Sequence, residues 1–238
     1  MKKIIFILLF GLISTPLLHS QILISLLLGD KLNSENLQFG IEGGLNWSNI
    51  SGFKSKAYAQ SFNMGFYFDF KFKKRWGLNT GLLVKSQLGT KNLSQADIEK
   101  ISSVYYGSDG SYNQVIDYFI VPVLAKYRFT KSIYVEAGPQ GGLMYNAWVE
   151  YNLKSDQSDN RIRNYNEDQI NRIDAGFTIG TGYVLLGGKG FTLGVKYYQG
   201  LVNTYKGNSS TQNRSFFVKM NIPIGVGDKK ENTNTQNK

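Results

Sequence analysis

The feature that most restricts this chain is a two-residue alternation running from Tyr58 to Phe72. Every even position there except Gln60 is apolar: Tyr58, Phe62, Met64, Phe66, Phe68, Phe70 and Phe72. The odd positions, Ala59, Ser61, Asn63, Gly65, Tyr67, Asp69 and Lys71, are mostly small or polar. Successive side chains of a strand point to opposite faces, so the segment is an extended ribbon with one apolar face. A helix would scatter both sets around its axis.

Seven more segments repeat the pattern, at residues 37–47, from 76, at 117–129, 133–145, 173–185, 191–198 and 214–224. The fourth in chain order is the least regular, because Ile120 and Leu124 fall on its otherwise polar face. Eight is an even number, as expected of single-chain bacterial barrels. Tight connections at 73–75, 130–132 and 187–190 alternate with connections at 51–56, 88–114, 146–172 and 203–213, two of them long and polar. Short turns on one rim and long loops on the other fit an outer-membrane barrel whose short turns and termini are periplasmic. The expected fold is therefore all-β, an eight-stranded antiparallel up-and-down transmembrane β-barrel.

The first twenty residues read as a leader. Lys2 and Lys3 precede an apolar run from Ile4 to Ile13, and His19-Ser20-Gln21 forms a polar junction. The expected organisation is a signal peptide over 1–20, a short periplasmic segment over 21–36, the barrel over 37–226 and a disordered polar tail over 227–238. Beyond the leader no apolar run approaches the roughly 20 residues of a spanning helix. A closed barrel is the other form that leaves no backbone group unpaired in lipid.

Alternation alone would also suit a soluble barrel with its apolar face inward. Against that, the apolar face carries aromatics at both ends. Phe70, Phe72, Trp76, Tyr127, Phe129 and Phe191 lie near the short-turn rim, and Trp47, Tyr58 and Tyr145 near the long-loop rim. These form the expected interfacial girdles of a membrane barrel. The opposite face is glycine-rich and holds Glu42, Asp69, Glu136 and Asp174 with Lys85, Lys126, Arg128, Lys196 and Lys219. An eight-stranded barrel is only wide enough for side chains to fill, so these charges are expected to form a paired structural network in the lumen.

Composition excludes several activities. Loss of Lys2 and Lys3 with the leader lowers the net charge from +10 to +8 and removes His19, the one histidine, while cysteine is absent. That deprives the mature chain of the side chains most used as nucleophile or general base, and no catalytic residue, cofactor or metal is expected. Gly180-Thr181-Gly182 lies within a strand and lacks the helix of a nucleotide-binding loop. Asp156, Asp159, Asn160, Glu167 and Asp168 lack calcium-loop spacing. The scattered basic residues supply no nucleic-acid recognition element.

The chain resembles the PorT-like outer-membrane β-barrel family of Bacteroidetes, which shares the architecture of the small OmpA and OmpX barrels. The likeness lies in the opening from Gly29 to Asn46, in residues 120–129 (Ile-Val-Pro-Val-Leu-Ala-Lys-Tyr-Arg-Phe), in Glu136-Ala137-Gly138-Pro139 and in residues 194–201. It departs at Ile120, where an acidic residue is expected, at Lys196, where arginine is common, and in its polar tail. The resemblance implies a barrel spanning the mature chain, and the family's best-known member serves a secretion system for surface proteins.

The expectation is a non-enzymatic outer-membrane protein with a structural or surface-interaction role, its loops 88–114 and 146–172 meeting partners. An accessory role in protein secretion, through the short-turn rim and residues 22–35, is the alternative. A membrane-embedded hydrolase or acyltransferase is disfavoured by the missing histidine, and passive conduction by the narrow lumen. Expected partners are outer-membrane lipid, lipopolysaccharide phosphates at the loop rim, and envelope or secretion proteins.

Overall fold

A computed structural model describes residues 34, 36–72, 74–153, 161–188 and 190–224. The leader, most of segment 21–36, the tail and the acidic positions Asp156, Asp159 and Asn160 lie outside the described residues. The strands are β1 (Leu37–Ile50), β2 (Ala57–Lys71), β3 (Trp76–Lys85), β4 (Gln87–Lys91), β5 (Gly110–Arg128), β6 (Ile133–Leu153), β7 (Arg161–Tyr165), β8 (Ile173–Val184), β9 (Thr192–Gly200) and β10 (Asn213–Pro223). Two short helices, α1 (Gln95–Lys100) and α2 (Leu185–Gly188), lie between them.

All pairings are antiparallel and the ladder closes on itself, because β1 pairs with both β2 and β10. The segments β3 and β4, separated by Ser86, act as two halves of one wall strand between β2 and β5. The segment β7 lies outside the ring and pairs with β6. The wall is thus eight strands, the number the alternation requires.

The alternation also fixes what faces where. Along β10, Ser215, Phe217, Lys219 and Asn221 are buried while Arg214, Phe216, Val218 and Met220 are exposed. Polar and small residues therefore line the lumen and apolar ones face outward, the inverse of a soluble barrel. The irregular pair Ile120 and Leu124 also point inward, where both are fully buried.

The strands β5 and β6 run for 19 and 21 residues, about twice the 9–11 that crossing a bilayer needs. They continue past the wall as a hairpin, and β7 adds a third strand. Much of the expected loops 88–114 and 146–172 is thus strand and helix: β4, α1 and the start of β5 in one, the end of β6 and β7 in the other. The alternation ends early in the sequence because a bulge interrupts it. Tyr118 faces Met144 but Asp117 faces Asn146, so Tyr145 is an extra residue on β6 and every position beyond it changes face.

Beyond that level the interior holds an apolar cluster beside a buried hydrogen-bonded group of Gln114, Asn166 and the Tyr205 hydroxyl. Ile50, Phe53, Leu88, Leu93, Ile98, Ile116, Tyr118, Val149, Ile170 and Tyr205 form one buried cluster, with the Phe53 and Tyr205 rings edge to face at 5.6 Å. The helix α1 delivers Ile98 and Ile101 to it. Its start is held by a capping box in which Ser94 and Asp97 serve each other's backbone N–H.

Candidate functional site

In the short-turn half the lumen is filled by ion pairs. Asp69 on β2 accepts from Lys126 Nζ at 2.6 Å and Arg128 Nη2 at 2.9 Å, both from β5. Lys196 Nζ on β9 donates to Glu42 on β1 at 2.7 Å. Lys219 Nζ on β10 lies 2.5 Å from Glu136 Oε1 on β6 and 3.9 Å from Glu42 Oε2, joining the two carboxylates. The Tyr134 ring bridges the clusters, with Lys126 Nζ 3.9 Å and Lys219 Nζ 6.0 Å from its centroid. Charges this deep persist only when paired, and these pairs tie six wall strands together across the lumen.

Lumen glycines make room for this. A Cβ at Gly182 would come within 2.4 Å of the Tyr134 hydroxyl, and one at Gly40 within 2.5 Å of the Tyr67 ring. The Gly180-Thr181-Gly182 run is thus part of β8, and its glycines accommodate neighbouring side chains.

Two expected members of the network stand elsewhere. Lys85 is exposed, because Met64 faces Lys85 while Gly65 faces Leu83, leaving Val84 as an extra residue that turns Lys85 away from the lumen. Asp174 is buried in the loop half, where it accepts from Asn213 Nδ2 at 3.1 Å and meets no cation among the described residues. The sequence signalled a buried acid but not its depth along the barrel.

The rim aromatics flank the outward apolar band. Phe72, Trp76, Phe129 and Phe191 are exposed at the short-turn rim, with Phe70 and Tyr127 half-buried, and the Trp76 and Tyr127 rings lie 4.8 Å apart. Tyr58 and Tyr145 are exposed at the other rim. Trp47 is half-buried there, its ring 6.3 Å from Phe216, and Tyr145 stacks on Phe119 at 4.6 Å.

A second feature escaped the sequence reading. Level with the loop-side aromatics, residues of β2, β4, β5, β6 and β7 frame a cavity of about 250 Å³, lined among others by Gln60, Lys91, Asn113, Trp148, Glu150 and Arg163. The Arg163 guanidinium lies 4.8 Å from the Trp148 ring and 3.3 Å from Glu150 Oε2. The available signal was alternation on both sides of 154–160, with Trp148 and Glu150 before it and Arg161 and Arg163 after it. Among the described residues no cluster of His, Cys, Asp and Glu could hold a metal ion.

On the loop side Asp97 collects several donors. Lys54 N–H reaches its Oδ1 at 2.7 Å, and Ser55 N–H and Ser94 N–H reach its Oδ2 at 3.1 and 3.0 Å. Burial raises its pKa, but these donors outweigh it and hold the carboxyl below its ordinary value.

Comparison with known proteins gives two kinds of result. In structure the chain is similar to Ail, the attachment invasion locus protein of Yersinia pestis, solved with the heparin analogue sucrose octasulfate. That match has 8% identity and a TM-score of 0.45, and covers 79% of this chain and 99% of that one. It is also similar to Neisserial surface protein A, at 8% identity and a TM-score of 0.43, covering 80% and 100%. OprG from Pseudomonas aeruginosa matches at 13% identity and a TM-score of 0.34, covering 79% and 93%. No curated protein matches the chain. A family model described as "Outer membrane protein beta-barrel domain" matches residues 30–206, most of the closed wall described above. The chain therefore belongs to the outer-membrane β-barrel domain family and is a multi-pass barrel of the bacterial outer membrane.

Proposed function

We propose that the chain is a non-enzymatic outer-membrane barrel that presents a rigid interaction surface outside the cell. The observation that supports it most is how the interior is divided. Ion pairs fill the short-turn half and an apolar cluster fills the loop half, while the β5–β6–β7 extension stands beyond the wall. A filled lumen suits a scaffold better than a channel, and loops packed onto an internal core are held in shape at little entropic cost on binding. The single histidine, His19, lies in the leader-like segment, which supports a role without acid–base chemistry. We read residues 1–20 as an export leader, the short-turn rim as periplasmic, and the chain as PorT-like on its 120–129, 136–139 and 194–201 motifs.

The absence of cysteine permits a direct test. Ser108 and Thr130 are exposed on opposite rims. Ser108→Cys is expected to react with an impermeant maleimide on intact cells, and Thr130→Cys only after lysis. Replacement of residues 148–165 by a short turn is expected to abolish capture of partners from the cell surface. Retention of the same partners by that variant contradicts the reading.

A secretion-accessory role is the second reading. The short-turn rim exposes Lys71, Lys74, Arg75 and Lys131, and its three turns contain no acidic residue, a surface suited to an acidic periplasmic partner. Affinity capture from outer membranes that returns a secretion component, lost on reversing the charge of Lys74 and Arg75, favours this role over the first.

A further inference from the structure

We propose that the outward groove beside Trp148 binds a phosphate group carried by an outer-leaflet glycolipid. The proposal builds on the reading of the long-loop rim as the cell-surface side.

Three observations converge on the groove. The first is an orphan donor. Trp148 lines the cavity, is 5% exposed, and its Nε1–H is buried without an acceptor among the described residues. Buried donors in native proteins have partners, so an acceptor is missing. The second is charge. The lining includes Lys91 and Arg163 against one carboxylate, Glu150. The Arg163 guanidinium is held over the Trp148 ring, and a planar guanidinium fixed in this way suits phosphate oxygens.

The third is position. Gln60 pairs with Trp47, and Tyr58 with Thr90 one residue before Lys91, so the groove lies level with the loop-side aromatics. Aromatic belts mark the headgroup level of a membrane. Gln60 and Lys91 in its lining are exposed on the outer face of the wall, the face that meets the surrounding leaflet. A phosphate there would accept the Trp148 N–H and meet the Lys91 ammonium and the Arg163 guanidinium. About 250 Å³ also leaves space for part of the attached sugar.

The test uses the full barrel folded in phosphatidylcholine nanodiscs, with folding checked by heat-modifiability. The chain has three tryptophans, so Trp47→Phe with Trp76→Phe leaves Trp148 as the sole indole. Bisphosphorylated lipid A is expected to move the Trp148 indole N–H resonance and saturate at a low mole fraction. Arg163→Gln or Lys91→Gln is expected to raise the half-saturation point by about tenfold or more. Dephosphorylated lipid A should leave the resonance in place.

No movement with lipid A in a folded barrel overturns the proposal, as does equal movement with the dephosphorylated lipid. Inorganic phosphate that saturates the site as readily as lipid A overturns the assignment to a glycolipid. Sidedness does not affect this signal, since both faces of a nanodisc are accessible. An error in the orientation reading therefore appears in the Ser108→Cys labelling and leaves the binding result intact.

Discussion

Lys219→Met is the sharpest test of the lumen network. Among the described residues Lys219 is the one cation within 4.0 Å of Glu136, whose carboxylate it meets at 2.5 Å, and both side chains are at most 2% exposed. Its removal strands a buried carboxylate, a change that costs about 3–5 kcal/mol. Lys196→Met should cost less, because Glu42 would keep Lys219 at 3.9 Å. The double variant Lys219→Met/Glu136→Leu removes the stranded charge and fills its place with apolar volume, so it should recover to within about 1 kcal/mol of the parent or exceed it. Urea unfolding from phospholipid vesicles, followed by the heat-modifiable band on a gel, measures all four proteins. A Lys219→Met cost below about 0.5 kcal/mol, the size of an exposed pair, would refute the reasoning. So would a double variant no more stable than the single one.

Three further outcomes follow from the same geometry. Val123→Arg, on the outward face in the middle of the band, should cost about 2–4 kcal/mol of bilayer-folded stability, whereas Phe191→Arg at the short-turn rim should cost at most about 1 kcal/mol; equal costs would contradict the assigned depth. Lys85→Gln should leave stability within about 0.5 kcal/mol, and a loss as large as that of Lys196→Met would return Lys85 to the lumen. Asp97 has a depressed pKa in the folded state, so its contribution is full above the unfolded value of about 3.9 and disappears as pH falls through the lower folded value. Amide protection factors at residues 94–101, taken against the intrinsic exchange rate at each pH, should thus hold from pH 7 down to about 4 and fall below it, Asp97→Asn should lower them throughout, and protection unchanged at pH 3 would contradict the cap's role.

The wall was legible wherever alternation ran unbroken. The positions of β10 and most of β2 follow from the two-residue period, because lipid outside and a narrow lumen inside select opposite residue types. The reading lost its way at single inserted residues. Val84 and Tyr145 each occupy a position without a partner across the ladder, and a one-residue slip reverses every face beyond it. This is why Lys85 seemed to point inward and why residues 146–153 seemed to be loop. Composition could not reveal these slips, since Tyr145 itself suits a lipid-facing rim. Asp174 shows a different limit: alternation gives the face of a residue but not its height along the barrel, and height decides whether an acid meets a lysine or an asparagine.

The inserted residues also explain how one sheet serves two solvents. Ser86 O accepts from Tyr118 N at 2.9 Å, and Asp117 lies between Gln87 on one side and Asn146 on the other, so both slips occur beside the same level of β5. Below it, β3 and β6 turn Leu82 and Leu143 outward, as lipid requires. Above it, Leu88, Ala147, Val149 and Tyr151 turn inward, while Lys91, Asn113 and Glu150 line the outer groove, as water and headgroups require. Without the slips, the extension would carry its apolar face outward into water. With them, the outward face becomes polar at the headgroup level, and the loop-side surface gains both its internal support and its cationic groove from the same two residues.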